Sequence, residues 1–269
     1  MTILLDGSAG TALWAMAEEA GVSKVPVWRY SIEHPEFVLE LHRRYIAAGS
    51  EWIQANTFDA NRMAVQRSSD YTVEQVVTAS VKLAKQAVEG TAVKVYATFG
   101  PLSMMMEPYG DLTEEEVDAV YTEMAAAAVS AGADALVLET FMDLNMAAAA
   151  AAALKRFGLP VLVSMTFAKR HRTMMGDTVE KIAETLSALG VDAMGMNCST
   201  GPVEALGIIR EFAEKTDLPL YFKPNSGMGD TYDAAQFAGE VAPALELVSY
   251  VGGCCGCDDA YIRELKKRL

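Results

Sequence analysis

The sequence has little positive charge: 22 Lys and Arg stand against 36 Asp and Glu, giving a formal net charge of −14. A field of that sign repels phosphate groups, so we expect neither nucleic acid nor an anionic membrane as the principal partner. No apolar run reaches the ~18 residues of a membrane-spanning helix; the longest candidate is the alanine-rich segment from Ala147 to Ala153. The first residues lack the cationic region of a secretory signal, and Asp6 interrupts their apolar run, so we expect a cytoplasmic protein.

Cysteine is also scarce, with four residues in 269, at positions 198, 254, 255 and 257. Four are too few for a disulfide scaffold, and in a reducing cytoplasm a cluster of three within four residues indicates metal ligands or reactive thiols. What the chain does have is apolar content, 51% hydrophobic against 22% charged residues. That balance excludes a disordered chain and allows a large core.

Short apolar runs rich in β-forming residues alternate eight times with longer helical patterns. Because the runs are apolar almost throughout, they are typical of parallel strands that are buried on both faces. The predicted strands are Ile3 to Gly7, Glu51 to Phe58, Lys94 to Gly100, Ala135 to Thr140, Val161 to Phe167, Ala193 to Ser199, Leu220 to Asn225 and Leu247 to Gly252.

Eight helices are predicted between and after these strands. Thr113 precedes three glutamates as an N-cap, Pro35 and Pro202 suit the first turn of a helix, and glycines such as Gly49 suit its end. The predicted helices are Pro35 to Ala48, Val73 to Glu89, Thr113 to Ala131, Asp143 to Phe157, Asp177 to Leu189, Pro202 to Lys215, Asp233 to Val241 and Asp258 to Arg268.

Eight such units in 269 residues leave about 34 residues each, as a (β/α)₈ TIM barrel requires. We therefore predict an α/β fold in which residues 1–269 form one barrel domain. The alternative is a doubly wound open sheet. It is disfavoured because the turn after the first strand, Asp6-Gly-Ser-Ala-Gly-Thr11, lacks the G-x-G-x-x-G spacing of a dinucleotide-binding fold.

In a barrel the chemistry lies at the carboxyl ends of the strands, and here those ends carry polar and sulfur residues. Cys198 follows strand six, and Cys254 and Cys255 follow strand eight. Strand ends separated by one neighbour lie around 10 Å apart, at ~4.8 Å per strand, so their side chains can meet. Three thiolates with one exchangeable position would form an open zinc site, and flanking glycines permit the bend that adjacent ligands need. The alternatives are cysteines packed as small hydrophobes and a strained disulfide between neighbours.

Several of these segments together resemble the homocysteine S-methyltransferase family, in particular its homocysteine-binding barrel in cobalamin-dependent methionine synthase. The resemblance runs along essentially the whole chain. The motifs that carry it are Asp6-Gly-Ser-Ala-Gly-Thr11, Ala55-Asn-Thr-Phe58, Gly100-Pro-Leu102, Glu107-Pro-Tyr-Gly110, Leu138-Glu-Thr140, Ser164-Met-Thr-Phe167, Gly195-Met-Asn-Cys-Ser199, Lys223-Pro-Asn-Ser-Gly227 and Gly252-Gly-Cys-Cys-Gly256.

The resemblance implies that Cys198, Cys254 and Cys255 hold Zn²⁺ and form the catalytic centre, with the homocysteine thiolate as the fourth ligand. Metal binding would deprotonate a thiol that is otherwise mostly protonated at neutral pH. Asn225 matches the family residue that fills the fourth position without substrate, although an ordinary turn role is equally open for it.

The resemblance also implies the residues that bind the amino-acid end of homocysteine. Glu139 is the expected ammonium partner and Asp6 the second candidate, while the alternative for Glu139 is a structural pair with a nearby cation such as an arginine. The backbone N–H groups of Gly7 and Ser8, helped by Thr57, would hold the carboxylate. Thr57 is equally suited to capping the end of its strand.

The methyl donor is implied to be methylcobalamin, carried on a separate corrinoid protein, because the eight units leave no residues for a donor-binding domain. Other donors used in the family are S-methylmethionine, S-adenosylmethionine and betaine. Two further readings stay open: an enzyme that methylates another thiol or demethylates, and a non-enzymatic zinc-holding subunit.

Two features have no settled role in the sequence. Methionines 104–106 and 174–175 suit either the core or an adaptable docking surface, and the basic cluster Lys169 to Arg172 suits either an acidic carrier or solvent. Cys257 is expected to be structural, and His34 and His42 are expected to be surface or capping residues.

Overall fold

The computed structural model of the protein describes residues 2–226 and 232–269, so Gly227 of the predicted Pro-Asn-Ser-Gly motif lies outside the described residues. Eight parallel strands form one sheet in the order β1-β8-β7-β6-β5-β4-β3-β2. The strands are β1 Ile3–Leu4, β2 Trp52–Ala55, β3 Lys94–Phe99, β4 Ala135–Phe141, β5 Val161–Met165, β6 Ala193–Asn197, β7 Leu220–Lys223 and β8 Tyr250–Val251. The predicted α/β barrel is confirmed, and all eight predicted strands are present.

The two ends of the sheet, β1 and β2, meet and nearly close the barrel. The Glu51 N–H donates to the Leu4 carbonyl at 2.7 Å, and the Leu4 N–H donates to the Glu51 carboxylate at 2.9 Å. Three residues after Glu51, in β2, the Gln54 N–H donates to a carboxylate oxygen of Asp6 at 2.7 Å. Side chains of Glu51 and Asp6 therefore accept two of these three hydrogen bonds in place of strand carbonyls.

Helices surround the barrel. In the described part of the chain they are α1 Ala9–Glu19, α2 Tyr30–Glu33, α3 Pro35–Ala48, α4 Arg62–Ser68, α5 Val73–Ala87, α6 Glu114–Ser130, α7 Leu144–Lys155, α8 Val179–Ala188, α9 Pro202–Lys215, α10 Ala234–Val241 and α11 Asp259–Lys266. Thr113 caps α6 as predicted, through a reciprocal pair of hydrogen bonds with Glu116. None of these helices is both long and apolar enough to cross a bilayer.

The sequence prediction missed three helices, α1, α2 and α4, which lie in the loops after β1 and β2. Helix α1 begins directly after the first strand, where the Ser8 hydroxyl accepts from the Thr11 N–H as an N-cap. Seven of the eight strands also end earlier than predicted, because the polar residues that follow them leave the sheet and form loops.

The core has two parts. A large cluster lies between the sheet and the helices, and a smaller one, which includes Leu5, Trp52, Tyr96 and Tyr221, fills the barrel. His42 lies in α3 and is buried, so the expectation of a surface or capping role is wrong for this residue. Neither of its ring nitrogens has a hydrogen-bond partner among the described residues.

Candidate active site

Three of the four cysteines form a cluster at the carboxyl end of the barrel. The sulfur atoms of Cys198, Cys254 and Cys255 all lie within 4.8 Å of one another, and Cys198 Sγ is 3.8 Å from Cys255 Sγ. They come from the loops after β6 and β8, so the predicted meeting of these two strand ends is present in the structure. Cys257 is buried beside Pro224 and lies outside the cluster.

Unusual backbone conformations bring the sulfurs together. Cys198 and Ser199 have positive φ angles of 61° and 58°, which turn the chain out of β6. After β8, the Cys254 N–H donates to the Pro224 carbonyl at 2.8 Å, and the chain then turns through Gly256 at φ 82°. Non-glycine residues seldom adopt such angles, and where they do, a functional constraint is common.

The three thiols perturb one another's ionisation. Hydrogen bonds from Cys254 and Cys255 lower the pKa of Cys198, while the interaction with Cys198 raises the pKa of both neighbours. The three thiols therefore titrate as one coupled group in which a thiolate is favoured, and such a group of sulfurs is suited to a cation.

The arrangement fits a tetrahedral zinc ion. With Zn–S bonds of about 2.3 Å, tetrahedral geometry places two sulfur ligands about 3.8 Å apart, the separation found between Cys198 and Cys255. The carbonyl oxygen of the Asn225 side chain is buried and accepts no hydrogen bond from the described residues. Three sulfurs and one buried oxygen without a partner are a donor set suited to this metal.

Glu139 lies beneath the cysteines and is buried. One of its oxygens accepts a hydrogen bond from the Tyr221 hydroxyl, and the other accepts from Thr98 Oγ1 at 2.7 Å. The Lys223 ammonium is 3.5 Å from the first oxygen. Glu139 thus has the nearby cation that a structural role requires, and it also lines the cavity that contains the cysteines.

Asp6 shares the same lysine. Its Oδ1 lies 3.3 Å from the Lys223 ammonium and accepts from the Tyr96 hydroxyl at 2.8 Å. Burial raises the pKa of Asp6, although Lys223 and the Gln54 N–H act in the opposite direction. Asp6 is completely buried and is not among the residues that line the cavity, unlike Glu139.

Lys223 is the functional candidate that sequence reasoning missed, together with Tyr96 and Tyr221. Burial opposes its charge, but the carboxylates of Glu139 and Asp6 outweigh that effect and raise its pKa. One signal for it was available: a lysine ends the apolar strand β7, and buried lysines are almost always paired. Two buried carboxylates therefore share one cation, and the formal charge of the floor of the site is negative.

The cavity has a volume of about 310 Å³. The Ser8 N–H, predicted to bind a carboxylate, donates instead to the Cys257 carbonyl at 2.9 Å. The Thr57 hydroxyl donates to the Thr98 carbonyl and accepts from the Thr98 N–H, as expected if Thr57 caps the end of its strand. The wall nonetheless includes most of the predicted site residues: Gly7, Ser8, Thr57, Glu139, Cys198, Cys254 and Cys255.

Large apolar side chains are exposed on the loops that follow β3, β4 and β5, at the same end of the barrel as the cavity. The large exposed side chains of these loops include Met104, Met105, Tyr109, Met142, Met174 and Met175, and of these Tyr109 and Met174 are each 72% exposed. The core reading is therefore wrong for four of the five loop methionines, because Met106 alone is buried. In the neighbouring basic cluster, His171 pairs with Glu211 at 2.9 Å.

Comparison with known proteins places these features in context. A family model described as homocysteine S-methyltransferase matches residues 3–269. The methionine synthases of Mycobacterium leprae and Mycobacterium tuberculosis are each 29% identical over 86% of this chain. The aligned region is 21% of each of those proteins, so the chain spans about a fifth of the length of the curated relatives it matches.

Among solved structures, the metallated form of the homocysteine methyltransferase MmuM from Escherichia coli is 25% identical. Its TM-score is 0.84, with 100% of this chain and 96% of that chain covered. A structure of DHDPS from Cyanidioschyzon merolae shares the fold alone. It is 15% identical, with a TM-score of 0.57 over 99% of this chain and 73% of that one.

Proposed function

Since the chain belongs to the homocysteine S-methyltransferase family, we propose that it transfers a methyl group to the thiol of homocysteine and so produces methionine. The observation that carries the proposal is a single cavity lined by three clustered thiols and by Glu139. We further propose that residues 1–269 act as one homocysteine-binding barrel in the cytoplasm, without nucleic acid or membrane as partners.

The residues of the floor bind and orient the substrate in this proposal. Homocysteine carries an ammonium group, and the two carboxylates that share Lys223 leave an excess negative charge for it. Glu139 is the carboxylate that lines the cavity, so it is the ammonium partner. Asp6 does not line the cavity and contributes through its ion pair with Lys223. The start of α1, where Gly7, Ser8, Ala9 and Gly10 line the wall, receives the carboxylate group of the substrate. Because the Ser8 N–H is held by the Cys257 carbonyl, the donors are the neighbouring N–H groups of the first turn.

We propose that Cys198, Cys254 and Cys255 hold a zinc ion, with Asn225 as the fourth ligand when substrate is absent. Bound zinc would keep the substrate thiol deprotonated at neutral pH. The assignment is supported by the 3.8 Å separation of the Cys198 and Cys255 sulfurs and by the buried Asn225 side-chain oxygen, which has no hydrogen-bond partner among the described residues. A metallated form of the similar Escherichia coli enzyme supports it as well.

The proposed zinc site is tested by metal analysis of the purified protein. We expect about one zinc per chain, lost when Cys198, Cys254 or Cys255 is replaced by alanine. Cys257→Ala is the matched control, because Cys257 is buried outside the cluster and should leave the zinc content unchanged. A wild-type protein that folds but binds no zinc would contradict the mechanism.

For the methyl donor we propose methylcobalamin on a separate corrinoid protein. The substrate sulfur supplies the electron pair of the new S–C bond. The bond between the corrinoid and the methyl carbon breaks, and its electron pair stays with the corrinoid. The similarity to two methionine synthases supports this donor. So do the exposed methionines on the loops after β3, β4 and β5, at the same end of the barrel as the cavity, because flexible thioether side chains adapt to large partners.

The competing donors are S-methylmethionine, S-adenosylmethionine and betaine, and they are separated by one assay that supplies each in turn with homocysteine. Methionine formed from a small-molecule donor but not from methylcobalamin would overturn the corrinoid proposal. A panel of other thiols, assayed in both directions, tests for a different substrate or a demethylase. A non-enzymatic zinc-holding subunit would show no change in its zinc X-ray absorption spectrum when homocysteine is added.

A further inference from the structure

The side chain of Asn197, at the end of β6, makes hydrogen bonds to three other strands or strand ends. It is 1% exposed. Its Oδ1 accepts from the Thr140 N–H and from the Ser164 hydroxyl, each at 2.8 Å. Its Nδ2 donates to Thr140 Oγ1 at 2.8 Å and points to Cys254 Sγ at 3.8 Å. Both lone pairs and both protons of the amide are therefore used.

The orientation of this amide is fixed by one partner. The Thr140 backbone N–H can only donate, so the oxygen of Asn197 must face it. The Nδ2 group then has to lie on the other side, toward the Cys254 sulfur. A flipped amide would place two donors against each other and leave the sulfur facing an oxygen, and both contacts are unfavourable in a buried site.

Thr140 is itself in an unusual conformation. Its φ angle is 68°, in the left-handed region that is rare for β-branched residues. The pairing of β4 with β5 shifts register between Leu138 and Phe141, so Glu139 and Thr140 form an irregularity in the strand. Such bulges occur next to active sites, where they redirect side chains. Because Thr140 donates one hydrogen bond to Asn197 and accepts another from it, this amide stabilises the bulge that aims Glu139.

We infer that Asn197 is a positioning residue that orients Cys254 for metal binding and at the same time holds the Glu139–Thr140 bulge in its left-handed conformation. One side chain thereby aligns the sulfur cluster with the ammonium pocket. The inference rests on the proposed function, because it assumes that Cys254 binds a metal. An N–H donor also takes up part of the negative charge of a thiolate, as outer hydrogen-bond partners of metal ligands do.

The substitution Asn197→Asp separates the two roles. An aspartate has the same shape, still accepts from the Thr140 N–H and from Ser164, and can accept from the Thr140 hydroxyl once that group rotates to donate. It cannot donate to Cys254, and it places a negative charge beside that sulfur. We expect its zinc affinity to fall roughly 10- to 100-fold, the usual effect of removing an outer partner of a metal ligand. Competition with a chromophoric chelator measures the affinity, and the sulfur-to-metal absorption bands of the Co²⁺ protein report the geometry of the cluster.

The matched control is Ser164→Ala, which removes a buried hydrogen bond to the same Oδ1 but leaves the contact with Cys254. It should bind zinc as the wild-type protein does and keep the Co²⁺ spectrum. Equal zinc affinity and equal spectra in Asn197→Asp and the wild-type protein would overturn the inference alone. A wild-type protein that binds no metal would overturn the proposed function, and the inference with it.

A second substitution tests the bulge. Thr140→Gly removes both the strain of the left-handed conformation and the hydroxyl that accepts from Asn197, so Asn197→Ala should lower the melting temperature less in this background than in the wild-type one. We expect the two losses to differ by at least about 2–4 °C, the shift that about 1 kcal/mol gives in a chain of this size. Equal losses in both backgrounds would show that Asn197 does not hold the bulge. This measurement also decides the case if Asn197→Asp does not fold.

Discussion

Replacement of Glu139 by glutamine removes one negative charge from the floor of the cavity and keeps the shape of the side chain. The structure indicates that the protein tolerates the change. Among the described residues, the hydrogen-bond donors to Glu139 are two hydroxyl groups, on Thr98 and Tyr221, and the Thr98 hydroxyl can rotate to accept from the new amide. Lys223 keeps Asp6 at 3.3 Å as its partner. The substitution therefore tests charge and leaves the packing intact.

The expected effect follows from the charge of the site. Two carboxylates and one lysine leave an excess of one negative charge, and Glu139→Gln removes it. Hydrogen bonds to charged groups contribute about 1.5–3 kcal/mol, more than those between neutral groups. We expect the Kd of homocysteine for the zinc-loaded protein to rise roughly 10- to 100-fold, which corresponds to about 1.4–2.7 kcal/mol.

Isothermal titration calorimetry measures this affinity without a methyl donor. The comparison ligand is 4-mercaptobutanoate, which has the thiol and the carboxylate of homocysteine but no ammonium group. Its affinity should not fall in Glu139→Gln, and the zinc content should stay at the wild-type value. If homocysteine bound equally to both proteins, or if both ligands lost affinity alike, Glu139 would not be the ammonium partner.

Two further predictions concern buried charge. Lys223→Met leaves two buried carboxylates without a cation and should lower the free energy of unfolding, measured in urea, by about 3–5 kcal/mol. Adding Asp6→Asn to this variant should recover part of the lost stability. If Lys223→Met were as stable as the wild-type protein, the two carboxylates would not depend on this cation. Burial lowers the pKa of His42 from 6.5 to about 4. Below pH 6.5 the unfolded chain therefore binds a proton at His42 that the folded chain does not bind, and the free energy of unfolding falls as the pH drops toward 4. At pH 5 the loss is about 2 kcal/mol relative to pH 7; His42→Leu should lack this component, and identical pH dependence in the two proteins would contradict the assignment.

Much of the fold could be predicted from the sequence because its signals are local. Buried parallel strands are apolar on both faces, so their alternation with helical segments appears in the residue order itself. Helices α3 and α9 were predicted with the bounds that they have in the structure, since Pro35 and Pro202 mark their first turns. Helix α1 was missed because its glycine and threonine are weak helix formers, although Ser8 is a good N-cap.

One part of the candidate site could likewise be predicted from the sequence, and another part could not. The cysteine cluster could be predicted because barrel geometry brings the ends of β6 and β8 together. The charged floor could not, because Lys223, Asp6 and Glu139 lie on β7, after β1 and on β4, and their pairing depends on the inward direction of each side chain. The left-handed Thr140 has no sequence signal either, since threonine normally favours regular strands and its conformation depends on the distant Asn197.

The two halves of the proposed site are built from different kinds of structure, and this matches what each has to do. Glu139 and Lys223 lie on strands, held by buried hydroxyl groups, so the ammonium pocket is rigid before substrate arrives. The sulfurs lie on loops that leave their strands through left-handed residues and glycine, where small adjustments of the backbone are possible. A metal with an exchangeable fourth position needs such adjustment when one ligand replaces another, whereas a charge pocket loses affinity if it moves. Asn197 contacts both halves, through Thr140 and Cys254. It therefore sets the distance between the pocket that binds the substrate ammonium and the metal that the substrate thiol must reach.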